Sequence, residues 1–400
     1  MRAVFESALS MSLPPRFNPV LVLLGALLVL ALVALPFLRV APNRLVSGQA
    51  VGFLSLLAGP IWLLAGLPCA LLLAGFIRQR RAVLALVLAT SVALVFGLLG
   101  LAASQAQLVS QAGASLARVS FGAAFWAAVV LSALIASDTL QRLRATPFQT
   151  AATGFGTVLV VCAMLASGWC DDLSIMKEYA NRADGFAAVV ARHMQIVGLA
   201  MAFTLAIGLP LGWAAHGYAK VASMAFPALN VVQTVPSIAL FGLLMAPLAF
   251  LAAYWPALGA AGISGVGIAP AVIALTLYGL LPVARGTLVG LQQVSGAQMD
   301  AARALGLKPW FVLRHVGLPL ALPVVLGGVR TAAVAAVGLA SVTALIGAGG
   351  LGSIMFEGLF SSAQDVVLLG VLPIVALGVL VDGMFRALIS LAVRQARPHG

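Results

Sequence analysis

The sequence predicts an all-α polytopic membrane protein with about ten transmembrane helices. Composition is the first reason. Of 400 residues 62% are hydrophobic and only 8% charged, and mean hydropathy is +1.13, whereas soluble domains carry about 25% charged residues. So few charges cannot cover a water-facing surface, and lipid must be the solvent for most of it. Segment length is the second reason. A helix needs about 20 apolar residues to cross the hydrocarbon core, and such runs recur at 20–38, 50–76, 82–103, 119–137 and 148–168, then at 193–215, 225–250, 266–290, 321–346 and 366–390. Charge is the third. With a cytoplasmic N-terminus, these runs put 16 of the 22 Lys and Arg inside and 6 outside, the asymmetry that orients membrane proteins.

The outer face is neutral on this reading. Asp171, Asp172, Glu178, Asp184, Glu357 and Asp365 balance its six cations, so the formal charge of +12 lies on the inner face. Arg39 and Arg44 fall in a short outer loop, against the rule. The first run exceeds the 7–15 residues of a signal-peptide core and is read as a retained span. The chain then divides into an N-terminal membrane region, 1–168, an outer polar loop, 169–192, a second membrane domain, 193–392, and a cytoplasmic tail, 393–400. Both termini are expected in the cytoplasm.

The halves differ in texture. The first is Leu-, Ala- and Val-rich and reads as anchoring helices. The second carries Thr204, Pro210, Gln233, Thr234, Pro236, Ser237, Thr276, Pro282 and Thr343 inside its spans. Helix breakers and hydrogen-bonding groups are tolerated at membrane depth only against protein or a water-filled path, so the second half is the functional one. Gln233, Thr234, Pro236 and Ser237 interrupt an apolar span, either as a packing kink with helix–helix hydrogen bonds or as the lining of a translocation pathway. Tyr278, with Phe203 and Phe241, is an aromatic residue within these spans that could face an organic cation.

The most hydrophilic long segment between spans is Gln292–Pro319. Ser295 and Gln298 make a capping box, Gly306 suits the left-handed position that ends a helix, and Pro309 suits the first turn of the next. The expectation is helix, sharp turn, helix on the cytoplasmic side, with Leu318 and Pro319 leading back into the membrane. Ala301 and Ala302 would let a partner approach closely while Asp300 and Arg303 fix its register. The same pattern also fits an amphipathic connection resting on the bilayer.

Other chemistries find little support. Cys69, Cys162 and Cys170 offer no disulfide framework or metal spacing, and His193, His216, His315 and His399 are not paired at ligand spacing. Gly347–Gly352 lacks the Lys-Ser/Thr of a phosphate loop and reads as close packing or a break at the outer end of the ninth span. No Walker A sequence occurs, so energy must come from a partner. No catalytic, cofactor-binding or metal residues are assigned, and nucleic-acid binding is not expected.

Asp300-Ala301-Ala302, three residues, Gly306, nine residues, Val316, one residue, Leu318-Pro319 resembles the EAA loop of binding-protein-dependent ABC importer permeases, with Asp for Glu and Val for Ile. The segments 230–244, 267–287, 321–338 and 345–359 resemble the osmoprotectant group of that family, which handles glycine betaine, choline and carnitine. The five extra N-terminal spans resemble a longer subgroup. The resemblance implies a type I ABC importer transmembrane fold in the C-terminal half, in a bacterial inner membrane. It implies that Asp300, Ala301, Ala302, Arg303, Gly306, Val316, Leu318 and Pro319 couple the chain, through 292–319, to a separate ATPase that uses the ATP. The implied partners are that ATPase, a soluble substrate-binding protein and a second permease subunit, identical or a close paralogue. A permease for another small solute and an ion-coupled secondary transporter are the alternatives. The second is weakened by the lack of a mid-membrane acid.

Overall fold

The structure, a computed structural model, describes residues 17–396 except 44, 45, 47, 58–61, 115, 261, 295–303, 305, 307 and 308. Among the described residues, eight helices are long and apolar enough to cross a membrane. The chain forms two compact units, Met1–Thr146 with Gly156–Ala180, and Pro147–Phe155 with Asn181–Gly400.

In the first unit α1 (Pro19–Ala34) starts where Asn18 accepts a hydrogen bond from the Leu21 N–H and Pro19 occupies the first turn. Pro is favoured there because its missing N–H has no intrahelical partner to lose. Pro36 then opens β1 (Pro36–Ala41), which pairs antiparallel with β2 (Gln49–Gly52) and β3 (Arg118–Phe121), giving the order β2-β1-β3. The expected run 20–38 is therefore a 16-residue helix followed by a strand. The run 50–76 holds β2, a short 3-10 turn and the 13-residue α2 (Trp62–Ala74). At 1.5 Å per residue these helices are about 24 and 20 Å long, short of a core of about 30 Å. That accounts for eight full-length spans where the sequence suggests about ten. Arg39, the exception to the charge rule, stands in the central strand, paired with Ala50 and Ser120.

The helices α3 (Arg81–Gln111) and α4 (Ala123–Arg142) follow, then α5 (Pro147–Ala166). The segment 169–192, expected as an outer loop, contains α6 (Ser174–Ala180) and the first turns of α7 (Ala183–Gly217). Some of its polar residues are paired locally. Glu178 is 2% exposed and pairs with Arg118 at 3.7 Å, and the Lys177 ammonium donates to the Ala117 carbonyl. Burial, with the Asp171 carboxylate beside it, pushes the Cys170 thiol up.

In the second unit α7 is followed by α8 (Ala219–Thr234), α9 (Ser237–Tyr254), the short α10 (Pro256–Ala260) and α11 (Ile268–Gln292). The chain continues with α12 (Pro309–Val312), a π-turn at Leu313–Gly317, α13 (Leu318–Leu339), α14 (Leu351–Phe360) and α15 (Gln364–Ala396). The most buried of these spans is α11. It packs against α7 and α13 around Ile196, Ala200, Ala271, Leu275, Ala336 and Val337. Lipid is as apolar as these side chains, so association relies on close packing and hydrogen bonds, and both are present. The hydroxyls of Thr204 and Thr276 donate across the α7–α11 seam, to the Thr276 carbonyl at 3.4 Å and the Ala200 carbonyl at 3.3 Å. At the α11–α13 crossing a Cβ on Gly328 would meet the Pro282 carbonyl and, at 3.2 Å, the Gly286 Cα. Two residues beyond Gly328 on α13, Arg330 donates to Asp382 of α15, which also accepts from Arg386, at 2.5 and 2.6 Å.

Beyond α13 a 3-10 turn at Val342–Ile346 leads into Gly347, Gly349 and Gly350, all at positive φ. The Gly267 N–H donates to the Ile346 carbonyl at 2.7 Å, and the His193 ring approaches the Val337 carbonyl at 3.2 Å. The glycine segment separates α13 from α14, in keeping with the break expected there.

Candidate functional site

The apolar run 225–250 is broken into α8 and α9 at Val235 and Pro236, whose backbones are extended (φ −71, ψ 127 and φ −56, ψ 139). Proline enforces the break, since it lacks an N–H and pushes its predecessor out of the helical region. The broken turn frees carbonyls at the start of the membrane-length helix α9, and away from water each needs a partner. Tyr278 of α11 supplies one, its hydroxyl donating to the Val235 carbonyl at 2.5 Å. Gln233 answers from the other side, its side-chain amide donating to the Tyr278 carbonyl at 3.0 Å. Beneath them Leu240, Phe241 and Ala274 form an apolar floor joined by Val235, Tyr278, Val342 and Ile346.

The structure thus brings Gln233, Pro236 and Tyr278 to one place and adds Val235. Sequence reasoning missed Val235 because the hydrogen bond is accepted by its main-chain oxygen. The Thr234 hydroxyl turns back to the Val231 carbonyl of its own helix. Ser237 begins α9 and is half-buried, whereas Gln233, Thr234 and Pro236 are exposed. Of the three aromatic residues considered, Phe241 and Tyr278 meet in the same apolar cluster, while Phe203 is exposed on α7. Gln233 and Thr234 end α8 just before the membrane-length helix α9, and exposed amide and hydroxyl groups there are costly if they meet lipid. This face therefore suits protein or a hydrated path.

Of the segment 292–319, Asp300, Ala301, Ala302 and Arg303 lie outside the described residues, as do Ser295 and Gln298. Gly306 has φ 73, the left-handed conformation expected for it, and a Cβ there would meet nothing within 4 Å. Pro309 opens α12, also as expected. Val316 lies in the π-turn, and Leu318 and Pro319 form the first turn of α13. The π-turn joins α12 to α13 directly, with His315 stacked on Phe311 at 4.0 Å between ring centroids. No cluster of three metal-ligating side chains occurs among the described residues.

Residues 199–392, which contain both the helix break and this segment, match the family model of the binding-protein-dependent transport system inner membrane component. The osmoprotectant import permease protein OsmW of Salmonella typhimurium is 36% identical over 52% of this chain and 92% of its own length. The chain belongs to the binding-protein-dependent ABC importer permeases, in their osmoprotectant group. The carnitine transport permease protein OpuCD of Listeria monocytogenes is 32% identical over 48% of this permease and 79% of that relative. The glycine betaine/carnitine/choline permease protein OpuCD of Bacillus subtilis is 32% identical over 48% of this permease and 77% of its own length. Residues 16–176 of the permease match a second model, described as the N-terminal domain of ABC transporter permease YehY. The permease is therefore a multi-pass membrane subunit of an importer, with an additional N-terminal unit.

Proposed function

We propose that this permease forms the pathway for glycine betaine or a related quaternary ammonium compound across the bacterial inner membrane. A soluble protein delivers the solute from outside, and a separate ATPase drives its passage. The chain itself has no ATP site. Its termini are cytoplasmic, and it works as a dimer of identical or closely similar permease subunits. The observation that carries the reading is the helix break at Val235–Pro236, clamped to α11 by Tyr278, with Gln233 and Thr234 exposed just before the membrane-length helix α9. A clamp made of two hydrogen bonds can be released for a few kcal/mol, the scale of energy that separates two accessible states. The names of the relatives support the solute class, and the sequence pattern from Asp300 to Pro319 supports coupling to the ATPase, with Gly306 at a positive φ.

The test is uptake of labelled betaine in cells lacking their own betaine transporters. Co-expression of this permease with its ATPase and binding protein should restore uptake, and omission of the ATPase should abolish it. Uptake that persists without the ATPase sinks the proposal and points to ion coupling.

A further inference from the structure

One end of the N-terminal unit concentrates cations. The connection between α2 and α3 carries Arg78 and Arg80, α3 opens with Arg81, and α4 closes with Arg142, with Arg144 just beyond it. Asn18 ties these segments together. Its N–H donates to the Gly75 carbonyl at 2.8 Å, and its side-chain oxygen accepts from Arg142 at 2.9 Å. The acid of this cluster, Asp138, is already engaged by Arg142 at 2.7 Å and by the Asn18 amide at 3.3 Å. Arg78, Arg80, Arg81 and Arg144 remain exposed.

Their setting is costly in the absence of an anion. Arg80 and Arg81 stand at the start of α3, whose first turn has no acid, although cations are disfavoured at that end of a helix. Arg144 sits at φ 53 just beyond α4, in the left-handed region that favours glycine. The arrangement is nevertheless ordered. The Gln79 amide donates to the Ala74 and Ile77 carbonyls at 2.9 and 2.8 Å, and the Ala145 N–H closes on the Leu140 carbonyl at 3.0 Å.

Apolar side chains adjoin the cations. Phe76 and Ile77 are 58% and 53% exposed, directly before Arg78, and the Phe17 and Phe76 rings lie 5.5 Å apart. Large apolar side chains facing outward within a few residues of exposed guanidinium groups match the boundary between acyl chains and headgroups. They do not match a surface that meets only water or a soluble partner.

We propose that this end of the N-terminal unit binds anionic phospholipid. The guanidinium groups of Arg78, Arg80, Arg81 and Arg144 would take the headgroup phosphates, while Phe17, Phe76 and Ile77 lie against the first acyl carbons. Arginine suits the task because its planar fork meets two phosphate oxygens at once. The site is independent of the solute and of the pathway in the other unit.

The test is native mass spectrometry of the full-length permease released from nanodiscs of phosphatidylglycerol mixed with phosphatidylcholine. The wild type should retain phosphatidylglycerol selectively. Each basic side chain near an anionic surface contributes about fivefold, so R78Q/R80Q/R81Q should lower that selectivity by about a hundredfold. All three side chains are exposed, so the variant should melt like the wild type in phosphatidylcholine alone. Arg394→Gln, near the end of α15, serves as a control and should retain the preference. Inorganic phosphate added at equal headgroup concentration should not displace the lipid. Retention of both lipids in proportion to their supply, or an unchanged preference in the triple variant, overturns the proposal. So does displacement by free phosphate. If the triple variant keeps its lipid but loses the co-purifying ATPase, the patch is a protein-docking surface and the lipid assignment is wrong.

Discussion

Removing one oxygen, in Tyr278→Phe, tests the clamp at the helix break. The ring stays, so the apolar floor of Leu240, Phe241 and Ala274 is kept. The bond to the Val235 carbonyl is lost, and that oxygen lies outside both α8 and α9. Side-chain hydrogen bonds between membrane helices average about 0.6 kcal/mol and reach about 1.7. The deletion should therefore cut the population of the clamped arrangement by a factor of about 3 to 20. In the reconstituted complex, betaine uptake per ATP hydrolysed should fall within that range, while the amount of assembled complex stays constant. Gln233→Leu removes the reciprocal bond to the Tyr278 carbonyl. If both bonds hold the same break, the double variant should depart from additivity by about 0.5 kcal/mol or more in a thermal-melting cycle. Wild-type coupling in Tyr278→Phe, together with strict additivity, would refute the idea that these residues hold one bistable element.

Gly306→Val places a β-branched residue at φ 73. With open space around it, the penalty is conformational, about 1–2 kcal/mol. Insertion should be normal, and stimulated ATPase activity and uptake should fall together. Undiminished uptake removes Gly306 from coupling. At the α11–α13 crossing Gly328→Val drives a side chain into the Pro282 carbonyl and Gly286, at a cost of about 1–3 kcal/mol or more. Gly338→Ala on the same helix, with nothing within 4 Å, should melt like the wild type, and equal melting of both variants would contradict the packing. Topology is checked by thiol labelling of a cysteine placed at Ala180, which should react only from outside, whereas labelling only from the cytoplasm inverts the chain. Native Cys170 should stay unlabelled at neutral pH. It is buried, and its raised pKa keeps the thiol protonated to a higher pH than a free cysteine.

The membrane class and the longer helices were legible because about 20 consecutive apolar residues admit few other structures. Gly306 and Pro309 were legible because each satisfies a backbone requirement that few other residues meet. Pro236 and Gln233 were singled out as interruptions of an apolar run, and Tyr278 as an aromatic residue that could face an organic cation. The clamp between them was not readable, since it passes through the main-chain oxygens of Val235 and Tyr278, which no side-chain pattern reveals. The β-sheet was hidden for a related reason. Strands of four to six residues vanish inside apolar runs that otherwise look like one long span. Periodicity alone cannot separate a short apolar helix followed by a strand from a longer helix. The helical turns within the polar stretch 169–192 were not legible, because sequence counts charges without their partners, such as Arg118 for Glu178.

The central claim is that this chain imports a betaine-like solute only as part of an ATP-driven complex. The most direct measurement is uptake of labelled glycine betaine into proteoliposomes holding the permease and its ATPase, with binding protein outside and ATP enclosed. Saturable uptake that needs both ATP hydrolysis and the binding protein is the predicted result. Uptake by the permease alone, driven by a sodium or proton gradient and indifferent to ATP, would contradict it.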